Sequence, residues 1–323
     1  MPLVHPFRTS FGVEEIKHAI LVEVQDTDGN TGWGETTVMN VPSYCYETVD
    51  TAWPIQTKFL IPRLIELNRE SFDIDALHDE WHPVRGHEFA KGGIEAALLA
   101  LLAESKQQNL GKLYGATKDK IPTGVSIGIQ KDISTLLKRI EYFIGQGYQR
   151  IKIKIEPGWD SEIVKQIRSE FGDIQLMVDA NSAYTLDDIA ILQELDQYDL
   201  MMIEQPLAYN DLLMHKKLQD QLDTAICLDE SIHNPRDAKL ALEYGCCEII
   251  NIKPGRVGGY YNAITIAQEN GKGAVWCGGM LETGIGRLHN IYLQARDEFI
   301  IPGDTSGSDR YYAKDIVSPT VHV

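Results

Sequence analysis

Arg-Ile-Lys-Ile-Lys-Ile, residues 150–155, opens a series of short apolar runs that each end in charge. It is followed by Leu-Met-Val-Asp-Ala-Asn at 176–181, Met-Met-Ile-Glu-Gln-Pro at 201–206, Ile-Cys-Leu-Asp-Glu-Ser at 226–231 and Ile-Asn-Ile-Lys-Pro-Gly at 250–255. Taking Lys154, Asp179, Glu204, Asp229 and Lys253 as markers, consecutive steps are 25, 25, 25 and 24 residues. A strand of about 5–6 residues, a helix of about 11–12 and two short loops fill such a period. The series therefore reads as one βα unit, repeated, with a charge at the same end of every strand.

Near-continuous apolar runs are typical of strands buried on both faces, as in a parallel sheet. Strands alternating with amphipathic helices argue for βαβ units. Such units close into a barrel whose active site lies at the C-terminal ends of the strands, so charges placed there converge. Any one of these acids alone reads equally well as a helix cap or a solvated loop residue. Five charges in phase, with lysines outermost and acids between, do not.

The rest of the chain fits an α/β enzyme: a TIM-type (β/α)7β barrel with an α+β capping domain. We assign 1–120 to the capping domain, with its N-terminal strand absent, 121–305 to the barrel, and 306–323 to a remnant of the C-terminal part of the capping domain. Ala19–Val24 and Thr31–Glu35, joined by Asp28-Gly29-Asn30, read as antiparallel strands. Phe7–Gly12 and Val41–Tyr44 read as loops, and residues from about Glu47 to Asn109 as helical. The clearest helix is Gly93–Gln108, with apolar residues at 94, 97, 98, 101 and 102. Barrel strands are expected at 123–129, 150–155, 174–179, 200–204, 225–229, 248–253 and 274–277, with a short eighth at Phe299–Pro302. Asp160 or Ser161 and the pair Asn234-Pro235 supply helix starts, as does Thr185 with Asp188 ahead of a helix at 186–197.

Composition excludes several function classes. With 30 basic against 47 acidic residues the net charge is −17, which argues against nucleic acid or an anionic membrane as partner. No apolar run approaches the roughly 18 residues of a spanning helix, and the first residues lack the pattern of a signal peptide. Five cysteines without framework spacing read as reduced thiols of a cytoplasmic enzyme. Cys246-Cys247 reads as core filler.

Asp179, Glu204 and Asp229 bring three carboxylates to adjacent strand ends. Such crowding is unfavourable unless a cation joins them, and hard oxygen ligands favour Mg²⁺, with Mn²⁺ possible, over zinc. Asn181 projects to the same side, and Glu230 is a second acceptor nearby. Lys152 and Lys154 alternate with isoleucines and share one strand face, which is costly in a barrel unless they are paired or functional. Lys253 enters from across the barrel. A lysine beside a metal and a second lysine has its pKa lowered, which suits a general base. The target is a proton on the carbon next to a metal-bound carboxylate, and the charge that develops is stabilised by the cation.

Lys-x-Lys, Asp-x-Asn, Glu-Gln-Pro, Asp-Glu-Ser and Lys-Pro-Gly-Arg, in that order, resemble the enolase superfamily, muconate-lactonizing subgroup. For that superfamily a lysine base with Mg²⁺ is already the known pattern. Phe7–Gly12, Lys253–Gly259, Gly279–Arg287 and Pro302-Gly303-Asp304 are similar to the o-succinylbenzoate synthases and their relatives that racemise N-acylated or N-succinylated amino acids. The resemblance implies that Asp179, Glu204 and Asp229 bind Mg²⁺. It implies that Lys154 removes the proton of the cyclohexadiene carboxylate SHCHC and then acts as the acid while water leaves from the same face, with Lys253 charged and stabilising. In racemisation both lysines exchange protons. Lys152 contacts the substrate carboxylate, and Arg256 accompanies the branch that does both reactions, either tuning Lys253 or making a surface salt bridge. Phe7, Met39, Ser126, Met280 and Leu281 match pocket positions, with core packing as the rival reading. The partner implied is a small carboxylate substrate, and because many such barrels assemble, a homo-oligomer is expected.

Family members begin earlier, with a strand pairing into the small domain, and continue past Val323. A capping domain short of pairing partners is therefore expected, with an unpaired strand edge as an association hazard. The rival activities are dipeptide epimerase and muconate cycloisomerase of the same architecture, or an inactive barrel that only binds. A zinc hydrolase built on His78, His82 and His87 is weaker, because these are expected on an exposed helix and loop. The glycines at 255, 258 and 259 have the wrong spacing for a dinucleotide fingerprint.

Overall fold

A computed structural model describes residues 1–67, 74–270 and 275–322. The N-terminal part opens with two antiparallel hairpins: β1 (Pro2–Thr9) with β2 (Gly12–Ile16), and β3 (Ile20–Gln25) with β4 (Thr31–Thr36). Helices follow as α1 (Val49–Ile55), which runs through one π turn into α2 (Ile61–Glu66), then α3 (Ile74–Trp81), α4 (Glu88–Ser105) and α5 (Leu110–Tyr114). The long helix α4 lies directly on β4. A Cβ at Gly34 would stand 2.2 Å from the Gly93 carbonyl oxygen, so only glycine allows this approach. Ile20, Leu60, Leu77, Trp81, Phe89, Ile94 and Leu98 fill the core between these elements.

Seven parallel strands then alternate with helices. They are β5 (Gly124–Ile127), α6 (Ile133–Gly145), β6 (Arg150–Lys154), α7 (Ser161–Phe171), β7 (Gln175–Asp179), α8 (Ile189–Leu195), β8 (Ile203–Glu204), α9 (Leu212–Gln219), β9 (Ile226–Leu228), α10 (Pro235–Glu243), β10 (Ile249–Ile252), α11 (Tyr260–Asn270), β11 (Val275–Cys277) and α12 (Gly284–Gln294). The strands pair in chain order. Every residue of β5 and β6 is buried, as double-faced burial requires. The expected helix starts form: Asp160 caps α7, and Asn234 Oδ1 accepts from Asp237 N at 3.0 Å to cap α10. Thr185 and Asp188 make a capping box around one 3-10 turn, and α8 begins only after it.

Three expectations are corrected. Phe7–Gly12 is not a loop: Phe7, Arg8 and Thr9 pair with Glu14, Val13 and Gly12, leaving Ser10-Phe11 as the turn. The strand's residues are mostly exposed, so no burial period betrayed it. Phe299–Pro302 is not a strand. The link to β5 is made one residue later, where Gly124 N donates to Gly303 O at 2.7 Å. On the other side Asp304 N donates to Cys277 O at 2.8 Å, so residues 303–304 touch both edge strands of the sheet. Ala274, expected to begin the seventh strand, lies outside the described residues. Helix α4 starts earlier than Gly93 and ends at Ser105.

Glu35, at the end of β4, joins the two parts. It accepts from Thr283 N at 3.1 Å, Thr283 Oγ1 at 2.7 Å and Gly286 N at 3.0 Å, satisfying the start of α12. All five cysteines are free thiols. Among the described residues no helix is long and apolar enough to cross a membrane.

Candidate active site

The register of the sheet explains the 25-residue period. Lys154, Asp179 and Glu204 are direct partners on β6, β7 and β8. Asp229 and Lys253 stand one residue beyond β9 and β10. Lys152, Lys154, Asn181 and Lys253 therefore face one cavity of about 120 Å³. Its outer wall comes from the N-terminal part, with Phe7, Phe11, Met39 and Tyr44, and from Met280 and Leu281 after β11. Ser126 and Asp304 complete its floor. Of the sequence-derived pocket residues, Arg256 alone is not on this wall. It is 2% exposed, lies behind Asp229, and donates to Asp229 Oδ1 and to Ile232 O at 2.6 Å.

The ammoniums lie among the acids. Lys152 Nζ reaches Glu204 Oε2 at 2.9 Å, Asp179 Oδ2 at 3.2 Å and Asp304 Oδ2 at 3.2 Å. Lys154 Nζ donates to Asp179 Oδ2 at 2.5 Å and to Asn181 Oδ1 at 2.7 Å. Lys253 Nζ donates to Asp229 Oδ2 at 2.8 Å and stands 4.4 Å above the Tyr44 ring. Among the described residues no three acid, imidazole or thiol groups are gathered as an ion would hold them; the lysines intervene.

Each acid nevertheless divides its two oxygens in the same way. One is fixed by a donor other than lysine. Asn181 N holds Asp179 Oδ1 at 3.0 Å, Asn251 Nδ2 holds Glu204 Oε1 at 2.6 Å, and the Tyr44 hydroxyl holds Asp229 Oδ1 at 2.8 Å. The other oxygen meets only lysine ammoniums. Three hard oxygens, oriented by their neighbours and otherwise bound only to ammonium groups, fit a divalent ion such as Mg²⁺. Glu230 Oε2 is buried there without a hydrogen-bond partner.

Electrostatics follow this geometry. Burial, then the charge of Asp179, pushes Glu204 up to about 8. Burial opposes the charge of Asp179 as well, but Lys154 and Lys152 outweigh it and hold its carboxyl below the usual range. Asp229 is likewise kept well below that range by Lys253 and Arg256 against the cost of burial. Glu230, buried and beside Asp229, rises to about 7. Burial works against the charge of Lys152, but Asp304, Glu204 and Asp179 hold its pKa well above the ordinary lysine value.

Sequence reasoning left out Tyr44, Asn251 and the role of Asp304. Asn251 sits two residues before Lys253, so strand alternation would have placed it on the same face. Asp304 accepts from Arg150 Nη2 at 2.7 Å and Ser126 Oγ at 2.8 Å, contacts no local pattern foretells. The histidines assemble no site: His78 Nε2 pairs with Glu95 Oε2 at 2.7 Å, so its side chain is half-buried rather than exposed.

Two family models divide the chain. The mandelate racemase/muconate lactonizing enzyme N-terminal domain matches residues 1–115, and the enolase C-terminal domain-like model matches 136–323. An o-succinylbenzoate synthase of Geobacillus kaustophilus is 48% identical over 100% of this chain and 86% of its own length. An N-succinylamino acid racemase of Amycolatopsis sp. is 43% identical over 99% and 87%. The solved structure of an enolase superfamily member from Listeria innocua Clip11262 superposes with a TM-score of 0.96 at 42% identity, covering 100% of this chain and 87% of that one. A dipeptide epimerase from Enterococcus faecalis V583, solved with Mg and the dipeptide L-Leu-L-Tyr, superposes at a TM-score of 0.88 with 25% identity, covering 99% and 91%. The chain belongs to the enolase superfamily, in the family of o-succinylbenzoate synthases and N-succinylamino acid racemases.

Proposed function

We propose that this chain is a Mg²⁺-dependent o-succinylbenzoate synthase that dehydrates SHCHC in menaquinone biosynthesis, and that it also racemises N-succinylamino acids. The observation that carries the reading is the pair Lys154 and Lys253, set on β6 and beyond β10 with three carboxylates between them, facing one cavity. We also read the contacts of residues 303–304 with β5 and β11 as the closing of a (β/α)7β barrel.

Asp179, Glu204 and Asp229 hold the divalent cation, which supplies Lewis-acid stabilisation of negative charge on the substrate carboxylate. Lys152 stays charged among its acid neighbours and pairs with that carboxylate. Lys154, oriented by Asn181 Oδ1, takes the proton from the adjacent carbon. In dehydration the same nitrogen returns the proton to the departing hydroxyl, while Lys253 remains an ammonium and offsets the developing charge. In racemisation Lys253 delivers a proton to the opposite face. Phe7, Met39, Met280 and Leu281 exclude water from the reacting carbon and contact the succinyl arm. The free thiols and acidic composition fit a cytoplasmic enzyme acting on small molecules.

Steady-state kinetics on SHCHC and on N-succinylamino acids, with and without Mg²⁺, test this. Turnover of both that requires the metal is expected, with loss of turnover in Lys154→Ala and in Lys253→Ala. Metal-independent turnover, or unchanged rates in the two variants, would overturn it.

A further inference from the structure

Outside the active site, a second cavity of about 420 Å³ lies between β1, α6 and the segment around Arg310. Its walls carry His5, Lys138, Arg139 and Arg310 and a single acid, Asp309. That acid is largely exposed and turned to His322 at 3.5 Å. Among the described residues none of Lys138, Arg139 and Arg310 has a carboxylate within ion-pair distance. In a chain of net charge −17, a cavity wall with three cationic side chains against one acid is unexpected.

Arg310 makes this more than a set of surface lysines. It is 8% exposed, and its guanidinium sits 4.9 Å over the Phe143 ring and 5.1 Å over Tyr311. Nη2 donates to Ser126 O at 3.0 Å, but Nε is buried without a partner. A buried donor left unpaired is costly. The repulsion among these groups is visible in their neighbours: burial, then Arg310, lowers the Arg139 pKa, and burial with both arginines lowers that of His5. An anion in the cavity would offset the repulsion between the two guanidiniums.

We propose that this cavity binds a small dianion, either inorganic phosphate or a short dicarboxylate, between Arg139 and Arg310 with Lys138 at the rim. Two guanidiniums present paired donors suited to carboxylate or phosphate oxygens. The site is separate from the reacting centre, yet it touches the centre's floor, because the carbonyl that Arg310 holds belongs to Ser126, whose hydroxyl donates to Asp304.

Isothermal titration of the full chain at low ionic strength, with inorganic phosphate and separately with succinate, decides the matter and tells the two sources apart. One of them is expected to bind, about tenfold more weakly in Arg139→Ala and with unchanged affinity in Lys154→Ala, whose lesion lies in the active site. Lys138→Ala, at an exposed position, is expected to weaken binding about threefold and serves if Arg139→Ala fails to fold. Binding of neither dianion, full affinity in both Arg139→Ala and Lys138→Ala, or loss of binding in Lys154→Ala would overturn the proposal.

Discussion

Tyr44→Phe removes one oxygen atom from a residue that reaches the reaction centre from the N-terminal part of the chain. The hydroxyl donates to Asp229 Oδ1 at 2.8 Å and accepts from Arg256 Nη1 at 3.1 Å. It thus holds the oxygen of Asp229 that faces away from Lys253. The ring beneath the Lys253 ammonium, at 4.4 Å, is retained by phenylalanine. A hydrogen bond to a charged group contributes about 1.5–3 kcal/mol. Arg256 still holds the same oxygen, so the lower end applies, about 1.5 kcal/mol, or roughly a tenfold weaker hold on the metal. The assay is activity as a function of Mg²⁺ concentration, in the variant and the parent, with thermal melting as a check on folding. The activation constant is expected to rise roughly tenfold while kcat at saturating Mg²⁺ changes little. An activation constant within twofold of the parent would refute the assignment of Tyr44 to the orientation of Asp229.

Other outcomes follow from the packing and titration of the fold. Glu35→Ala leaves three donors at the start of α12 without their acceptor, and urea denaturation should show a loss of about 2–4 kcal/mol. Gly34→Ala drives a methyl group to 2.2 Å from the Gly93 carbonyl, and the urea midpoint should fall by an amount equivalent to about 1–3 kcal/mol or more. Glu47 accepts from Phe89 N at 2.9 Å and Ala90 N at 3.0 Å, and burial raises its pKa from 4.5 to about 7. The folded chain then holds this proton more tightly than the unfolded one, so the stability it contributes is present below pH 4.5 and is lost as pH rises to about 7. Glu47→Gln should flatten that part of the stability profile, measured as urea midpoints across the window; an unaltered slope would count against the shift.

The sheet was legible because its period is carried by charge as well as by apolar runs. Lys154, Asp179 and Glu204 are 25 residues apart and also register partners, so spacing in the chain maps directly onto position in space. The hairpin at Phe7–Gly12 was not legible, because a strand exposed along most of its length leaves no alternation of burial to read. The expected eighth strand at Phe299–Pro302 failed for the opposite reason: an apolar run signals burial, not pairing, and the backbone contact comes at Gly303. Tyr44 and Asp304 lie 185 and 178 residues from the partners Asp229 and Ser126, and no local pattern encodes contacts of that range. Arg256 stands three residues past Lys253, which suggested a group acting on that lysine. The helical turn after β10 instead carries it behind Asp229, where it binds the acid's far oxygen.

In the proposed reaction two amines serve opposite faces of one carbon, and hydrogen–deuterium exchange reads each face separately. The two enantiomers of an N-succinylamino acid are incubated in D₂O with Lys154→Ala and with Lys253→Ala, and loss of the α-proton signal is followed by NMR. Each variant should exchange only one enantiomer, the opposite one in the two cases. Exchange of both enantiomers by either variant, or of the same one by both, would contradict a lysine on each face.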